Sequence, residues 1–391
     1  MKMGNTMNVT TLDKDREVLQ RYAAASKERE EALCCPTQYN PAYLKVLPKE
    51  ILDRDYGCGD PTAYVREGDT VLDLGSGSGK TCYILSQVVG PKGRVVGVDF
   101  NPDMLALAEK YRMEIAKRIG WDNVTFHRAR IQDLRTDINA LERRIAEKPI
   151  ASYEAYSDFE AFRRNTAEAS LIADNSIDVI VSNCVLNLVN PDDKKSLFQE
   201  MYRVLKIGGR IAISDIVSDE EVPAHLQEDD KLWSGCISGA FQETAFLRAL
   251  EAAGFYGIAI EKRDVEPWQT VEGIEFRSIT VTAYKGKEGP CWERNQAVIY
   301  RGPWREVRDD DGHVLHRGVP TAVCDKTYRI FTSDPYKRDI CPVPPRIDIP
   351  LEKAAPFDCT RTVLRHPRET KGMDYAVTKE AAPACDSESC C

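Results

Sequence analysis

The sequence predicts an α/β fold, a doubly wound and mostly parallel sheet, on three observations. Six short apolar runs recur between residues 66 and 285. Segments with apolar residues at helical spacing alternate with them. The first run ends in a glycine-rich turn that leads straight into a helical segment. Strands alternating with helices of this kind build a parallel sheet covered on both faces.

Residues 1–65 read as a helical lead-in. LDKDREVLQRYAAASKEREEAL mixes alternating charge with helix formers, and Pro36 and the Tyr-Asn-Pro run end it. In 66–285 the strands are TVLDL, RVVGVD, VTFHRA, IDVIVSN, RIAISDI and a closing SITVTAY. Between them, 103–118 places Met104, Leu107, Ala108 and Tyr111 on one helical face. Residues 193–205 do the same with Leu197, Met201, Val204 and Leu205, and ETAFLRALEAAG closes on Gly254. Residues 136–170 are a charged, helical insertion. Residues 286–355 turn rich in Trp, Tyr, Pro and Gly, and AVIYRG and TAVCDKTYRIF read as short strands of a small β-rich domain. Residues 356–391 are loop-like, with TKEAAPACDSESCC disordered.

A chain of 391 residues suggests two or three domains. The net charge of −9 argues against a nucleic-acid or anionic-membrane partner. No stretch reaches the roughly 20 apolar residues of a membrane span, and MKMGNTMNVTTLDKDRE has no apolar signal core. The expected compartment is the cytoplasm.

The cofactor motif lies in VLDLGSGSGK, residues 71–80. A strand ending at Asp73 runs into Gly75-x-Gly77-x-Gly79, and glycine permits positive φ and close approach to a nucleotide. A dinucleotide fold prefers GxGxxG, and a phosphate loop needs GxxxxGK[ST]. The spacing here, with Asp99 ending the next strand, instead fits S-adenosylmethionine. Asp73, Gly75, Ser76, Gly77 and Gly79 would form its loop, with Phe100, Met104 and Asn183 beside it. Asp99 would bond the ribose hydroxyls, and Ile131 and Gln132 would edge the adenine.

Thirteen cysteines occur, without a CxxC…CxxC or HExxH zinc pattern. Cys184 directly follows the fourth strand, at the edge where ligands bind. Cys236 lies in SGCISGA and Cys58 in YGCG, a glycine-flanked loop expected to be mobile and loosely packed. Cys34-Cys35 and Cys390-Cys391 are vicinal pairs, and Cys82 reads as core. Thiols beside a methyl donor suggest a soft, thiophilic substrate that is itself methylated.

Those motifs, with SNCVLNLVNPDDKKSLFQEMYRVLKIGGRIAISDI, resemble class I S-adenosylmethionine methyltransferases, and with the cysteines they resemble arsenite methyltransferases over about residues 30–350. The resemblance implies methylation of arsenite and methylarsenite. It implies that Cys184 and Cys236 bind trivalent arsenic, and that Cys58 and one of Cys34 or Cys35 join the methylation cycle. With Cys58 as the third thiolate, the arsenic lone pair can attack the methyl group without a catalytic base. A disulfide, expected between Cys58 and Cys34 or Cys35, would reduce pentavalent arsenic, and thioredoxin or glutathione would reset it. The alternatives are another small-molecule methyltransferase, of the quinone, sterol or natural-product type, and a metalloid-binding protein without activity.

Overall fold

The structure is a computed structural model that describes residues 10–30, 39–359 and 364–377. It divides into two compact units, Met1–Gly286 and Lys287–Cys391.

The first unit opens with helix α1 (Thr10–Ala25). The sequence pattern suggested continuation toward residue 33, but the helix stops at Ala25. Its last carbonyls are taken by side chains from further along: Tyr56 Oη donates to Ala25 O at 3.1 Å and Arg54 Nη1 to Ser26 O at 2.7 Å. Such side-chain donors satisfy carbonyls that a helix end leaves open. Two short helices follow, α2 (Pro41–Leu44) and α3 (Lys49–Asp53).

Then the alternation begins: β1 (Thr70–Leu74), α4 (Lys80–Val89), β2 (Arg94–Asp99), α5 (Pro102–Ile119) and β3 (Val124–Arg128). The insertion forms α6 (Ile138–Glu147) and α7 (Tyr153–Ala169). Then come β4 (Ile177–Asn183), α8 (Lys194–Val204) and β5 (Leu205–Ser218). Two short helices, α9 (Ala224–Gln227) and α10 (Asp230–Ser234), lead to β6 (Phe241–Gln242) and α11 (Glu243–Ala252). Strands β7 (Tyr256–Arg263), β8 (Gln269–Val271) and β9 (Ile274–Tyr284) close the unit. The main sheet runs β3-β2-β1-β4-β5-β9-β7. Pairs from β3 to β5 are parallel, while β9 runs antiparallel to both β5 and β7. The sequence reading has no counterpart for β7. Its outer half, Glu261-Lys262-Arg263, is exposed and charged, which protects a sheet edge but masks the strand signal.

Helix α5 is placed as the spacing predicts. Asn101 caps it by accepting from the backbone N–H of Asp103 and Met104, Pro102 fills the first turn, and Met104, Leu107 and Ala108 are buried. On α8, Leu197, Met201 and Val204 are fully buried against Leu72, Ile180, Ile211 and Ile213 of the sheet. The chain winds from β1 to β3 in one direction and resumes at β4 on the other side of β1. The crevice at the carboxyl ends of β1 and β4 is therefore the topological switch point, where such sheets bind ligands.

In the second unit, β10 (Trp292–Glu293), β11 (Ala297–Tyr300), β12 (Glu306–Arg308), β13 (Val314–His316), β14 (Pro320–Ala322), β15 (Ile340–Val343) and β16 (Ala355–Pro356) form small antiparallel sheets. TAVCDKTYRIF is not one strand. It leaves β14 at Ala322 and becomes helix α12 (Asp325–Phe331), where Cys324 Sγ accepts the Thr327 N–H and Asp325 pairs with Arg329 one turn on. Helix α13 (Pro367–Lys371) interrupts the stretch read as loop. TKEAAPACDSESCC lies outside the described residues.

Candidate active site

The switch-point cleft has about 1020 Å³ of space, including the part open to solvent. Ligand pockets are commonly of this order. Asp73, Gly75, Ser76, Gly77, Asp99, Phe100, Met104, Ile131, Gln132 and Asn183 all line it. Gly79 does not. At φ 83° it caps α4, and a Cβ there would touch Ala108, Phe126 and Tyr83 at 3.0 Å, so it serves helix packing.

The glycine loop owes its path to backbone bonds and tight packing. Gly75 N and Ser76 N both donate to Val98 O, at 2.8 and 3.0 Å. A Cβ on Gly75 (φ 74°) would lie 2.4 Å from the Val185 side chain, whereas one on Gly77 (φ 51°) would meet nothing within 4 Å. Gly77 therefore faces open cleft. Ser76 Oγ is buried in this loop without a hydrogen-bond partner among the described residues, a cost that a ligand would relieve. Asp99 accepts from Gly77 N at 2.9 Å through one oxygen and from Asn101 N at 2.8 Å through the other. That fixes the carboxylate and leaves each oxygen further acceptor capacity. Burial raises the Asp99 pKa. Beneath the loop, burial lifts the Asp73 carboxyl to about 7, opposed by the Cys82 thiol that donates to it at 3.2 Å. Cys82 is fully buried, as read.

The lead-in supplies a wall that motif reasoning missed. Asp15, Val18 and Tyr22 of α1, and Arg54, Asp55 and Tyr56 ahead of Cys58, line the same cleft. Arg130 pairs with Asp15, Lys80 pairs with Asp55 at 2.7 Å, and the Tyr22 and Tyr56 rings meet edge to face. The aromatic residues flanking the cysteine loops were the available signal.

Cys58 and Cys184 are joined by a disulfide, with Cα atoms 5.9 Å apart. The expected partner of Cys58 was Cys34 or Cys35, and both of those lie outside the described residues. The loop around Cys58 is also not loosely packed. Cys58 is buried, and Asn183 clasps its backbone. Asn183 Oδ1 accepts from Cys58 N at 2.8 Å and Gly59 N at 3.2 Å, while Nδ2 donates to Gly59 O at 2.7 Å and Tyr39 Oη at 2.8 Å. Ser278 Oγ donates to Cys58 O at 2.7 Å. The glycines are there for close approach, since a Cβ on Gly57 would fall 2.4 Å from Asn183 Nδ2. The Asn183 amide, expected at the cofactor, is thus committed to the cysteine loop.

Cys236 completes the cluster: its Sγ donates to the Cys184 carbonyl at 3.3 Å. Both residues hold left-handed backbones, Cys184 at φ 57° and Cys236 at φ 62°. For non-glycine residues this costs on the order of 1–3 kcal/mol, a strain found where geometry serves function. Two side chains hold it. Asp215 accepts from Leu186 N at 2.9 Å and Ile216 N at 2.8 Å, and Asn187 Nδ2 donates to Ile216 O at 2.7 Å and Cys236 O at 3.2 Å. The Asp215 carboxylate and the sulfurs of Cys58 and Cys184 lie within 4.8 Å of one another, and burial raises its pKa to about 6. Neither Asp215 nor Asn187 was singled out from sequence.

Beside the thiols is a second, smaller cavity walled by Tyr22, Tyr56, Cys184, Ile216, Gly235, Cys236 and Trp268. Cys184, Tyr22 and Tyr56 line both spaces, so Cys184 stands in the wall common to the nucleotide cleft and the thiol cavity. None of the five histidines lines either one. What the arrangement offers is soft sulfur ligands against a nucleotide-sized cleft.

Comparison with known proteins agrees. A methyltransferase-domain family model matches residues 66–143 and 145–254, and a domain of unknown function matches 287–375. An arsenite methyltransferase of Aquipseudomonas alcaligenes is 33% identical over 322 residues, spanning 78% of this chain and 83% of that protein. The Mus musculus arsenite methyltransferase is 28% identical, spanning 84% and 82%. The crystal structure of an arsenic(III) S-adenosylmethionine methyltransferase from Chlamydomonas reinhardtii, 25% identical, superposes with a TM-score of 0.54 over 83% of this chain and all of that one.

Proposed function

The chain belongs to the arsenite methyltransferase family and methylates arsenite from S-adenosylmethionine, and we propose that Cys58, Cys184 and Cys236 are the thiolates that hold the arsenic. The observation that carries this reading is that Cys184, in the wall shared by the two cavities, is bonded to Cys58 and carries the Cys236 thiol on its carbonyl.

The cleft fits the methyl donor on its own features: a loop glycine facing open space, an unpartnered Ser76 hydroxyl and a doubly anchored Asp99. When bound, S-adenosylmethionine supplies an electrophilic methyl group. Asp99 would accept from the ribose hydroxyls, and Phe100, Met104 and Ile131 would flank the adenine, with Gln132 at its edge. Asn183 acts as a positioning residue for Cys58.

Trivalent arsenic on three thiolates is pyramidal, with its lone pair on the open corner. Cys184, in the shared wall, turns that corner toward the nucleotide cleft. Orientation is then the chief contribution of the protein. After transfer arsenic is formally pentavalent. Two thiolates return it to the trivalent state by giving up two electrons and forming one S–S bond, and the Cys58–Cys184 disulfide supports these two as the donors. A dithiol reductant of thioredoxin type, or glutathione, reopens the bond in a reducing compartment such as the cytoplasm. Cys34 and Cys35 would relay oxidising equivalents outward.

The test is product speciation by chromatography with arsenite or methylarsenite, S-adenosylmethionine and thiol. Cys184→Ser and Cys236→Ser should each abolish methylation of both substrates. Cys58→Ser should lose arsenite methylation yet keep part of the activity on methylarsenite, which has only two coordination places left. Full turnover of methylarsenite by Cys184→Ser would overturn the assignment.

A further inference from the structure

Outside the active site, two free thiols from distant segments, Cys291 and Cys324, meet in the second unit. β10 pairs antiparallel with β16, and this pairing continues outward to a bond from Phe357 N to Cys291 O at 2.8 Å. Cys359 follows two residues after Phe357, exposed, its Sγ 3.8 Å from Phe357 O. Cys324, at the start of α12, is buried, and two bonds hold the Cys291 segment against that helix start: Lys326 Nζ donates to Gly289 O at 3.2 Å and Arg294 Nη1 to Asp325 Oδ1 at 2.7 Å, which sets the Cys324 thiol beside that of Cys291. The Cys324 Sγ lies 3.2 Å from Thr327 Oγ1. Cys291 is partly exposed, so the pair is reachable from solvent. Cys359 is near enough to act electrostatically on Cys291. An isolated thiol cannot chelate. A reduced pair held side by side can.

We propose that Cys291 and Cys324 form a dithiol site for trivalent arsenicals that carry one organic substituent, separate from the methylation site. The chemistry is an exchange without electron transfer. Two S–H bonds and two As–OH bonds break, two As–S bonds form, each thiol proton leaves with an arsenic hydroxyl as water, and arsenic stays trivalent. A monosubstituted arsenical has two exchangeable positions, which two thiols satisfy. Burial, and then the neighbouring Cys324, push the Cys291 thiol up to about 11, so Cys291 meets its ligand as a thiol with its proton at hand for a departing hydroxyl. The site gives a ligand class to a domain that the family model describes only as being of unknown function.

The probe is phenylarsine oxide, titrated into the fully reduced full-length chain, with bound equivalents counted by native mass spectrometry. Cys291→Ser and Cys324→Ser should each remove one bound equivalent, and the double variant the same one. Cys341→Ser, in β15, and Cys359→Ser should remove none. The equivalent should persist in a Cys184→Ser/Cys236→Ser background, which separates this site from the catalytic one. The proposal is overturned if Cys291→Ser binds as many equivalents as the unaltered chain, if the double variant loses two, or if Cys359→Ser loses the equivalent. Cys291→Ser decides the matter alone if Cys324→Ser, which alters the helix cap, fails to fold.

Discussion

Replacing Asn183 with alanine tests whether a single amide sets the reach of Cys58. Three of its hydrogen bonds tether the Cys58 loop: those from Cys58 N and Gly59 N, and the one to Gly59 O. At a net ~1 kcal/mol each, their loss loosens the loop by about 3 kcal/mol, and two buried N–H groups are left without an acceptor. At 1.4 kcal/mol per decade, the population with Cys58 facing Cys184 falls roughly 100-fold. Asn183→Ala should therefore lower kcat/KM for arsenite by one to two orders of magnitude. Methylarsenite, which needs two thiolates, should be affected far less, and S-adenosylmethionine affinity by calorimetry should stay within about twofold. Asn183→Asp, which keeps the acceptor but loses the donor, should fall between. The reasoning is refuted if Asn183→Ala methylates arsenite like the unaltered chain, or if its cofactor affinity falls as far as its activity.

Asp99→Ala should weaken S-adenosylmethionine binding by about 2–3 kcal/mol, the scale of hydrogen bonds to a charged acceptor, while leaving arsenite binding intact, both read by calorimetry. Gly77→Ala places a methyl group in open cleft at φ 51°, so it should lower cofactor affinity at least tenfold while thermal unfolding shifts by only a few degrees. Gly75→Ala, which collides with Val185, should lose stability as well as affinity. Asp73 carries a folded pKa of about 7 against 3.8 for the free group. The folded state thus holds this proton longer than the unfolded chain, so its contribution is full below pH 4 and is lost as pH rises toward 7. Asp73→Asn should flatten that decline in denaturant titrations of the ligand-free protein between pH 5 and 8.

The sheet was legible because its central strands β1, β2, β4 and β5 are largely buried and read as apolar runs, and the nucleotide loop because glycine spacing is a backbone requirement. Nearly every residue expected at the cofactor lines the cleft. What sequence could not give was long-range partnership. Asn183 was expected at the cofactor, yet its amide is engaged with a loop 124 residues earlier. Glycines around Cys58 suggested looseness, whereas they are small because Asn183 and Ser214 press on them. Asp215 and Asn187 sit in ordinary strand and turn contexts, and only the fold brings them to the two strained cysteines. The edge strand β7 escaped because its exposed half is charged.

The Cys58–Cys184 bond joins residues 126 apart in sequence, and the chain between them includes β1, β2 and β3 with the whole nucleotide loop. On the chain-entropy view, closing a loop of this size restricts the unfolded ensemble by about 4–5 kcal/mol. If the bond forms and opens within each catalytic cycle, then the enzyme's conformational stability is itself periodic, high while it waits for reductant and lower once its thiols are free. A cell short of thiols would accumulate a durable, idle form, and one rich in thiols an active form that proteases clear sooner. Lifetime and turnover in this protein would be governed by the same two sulfur atoms.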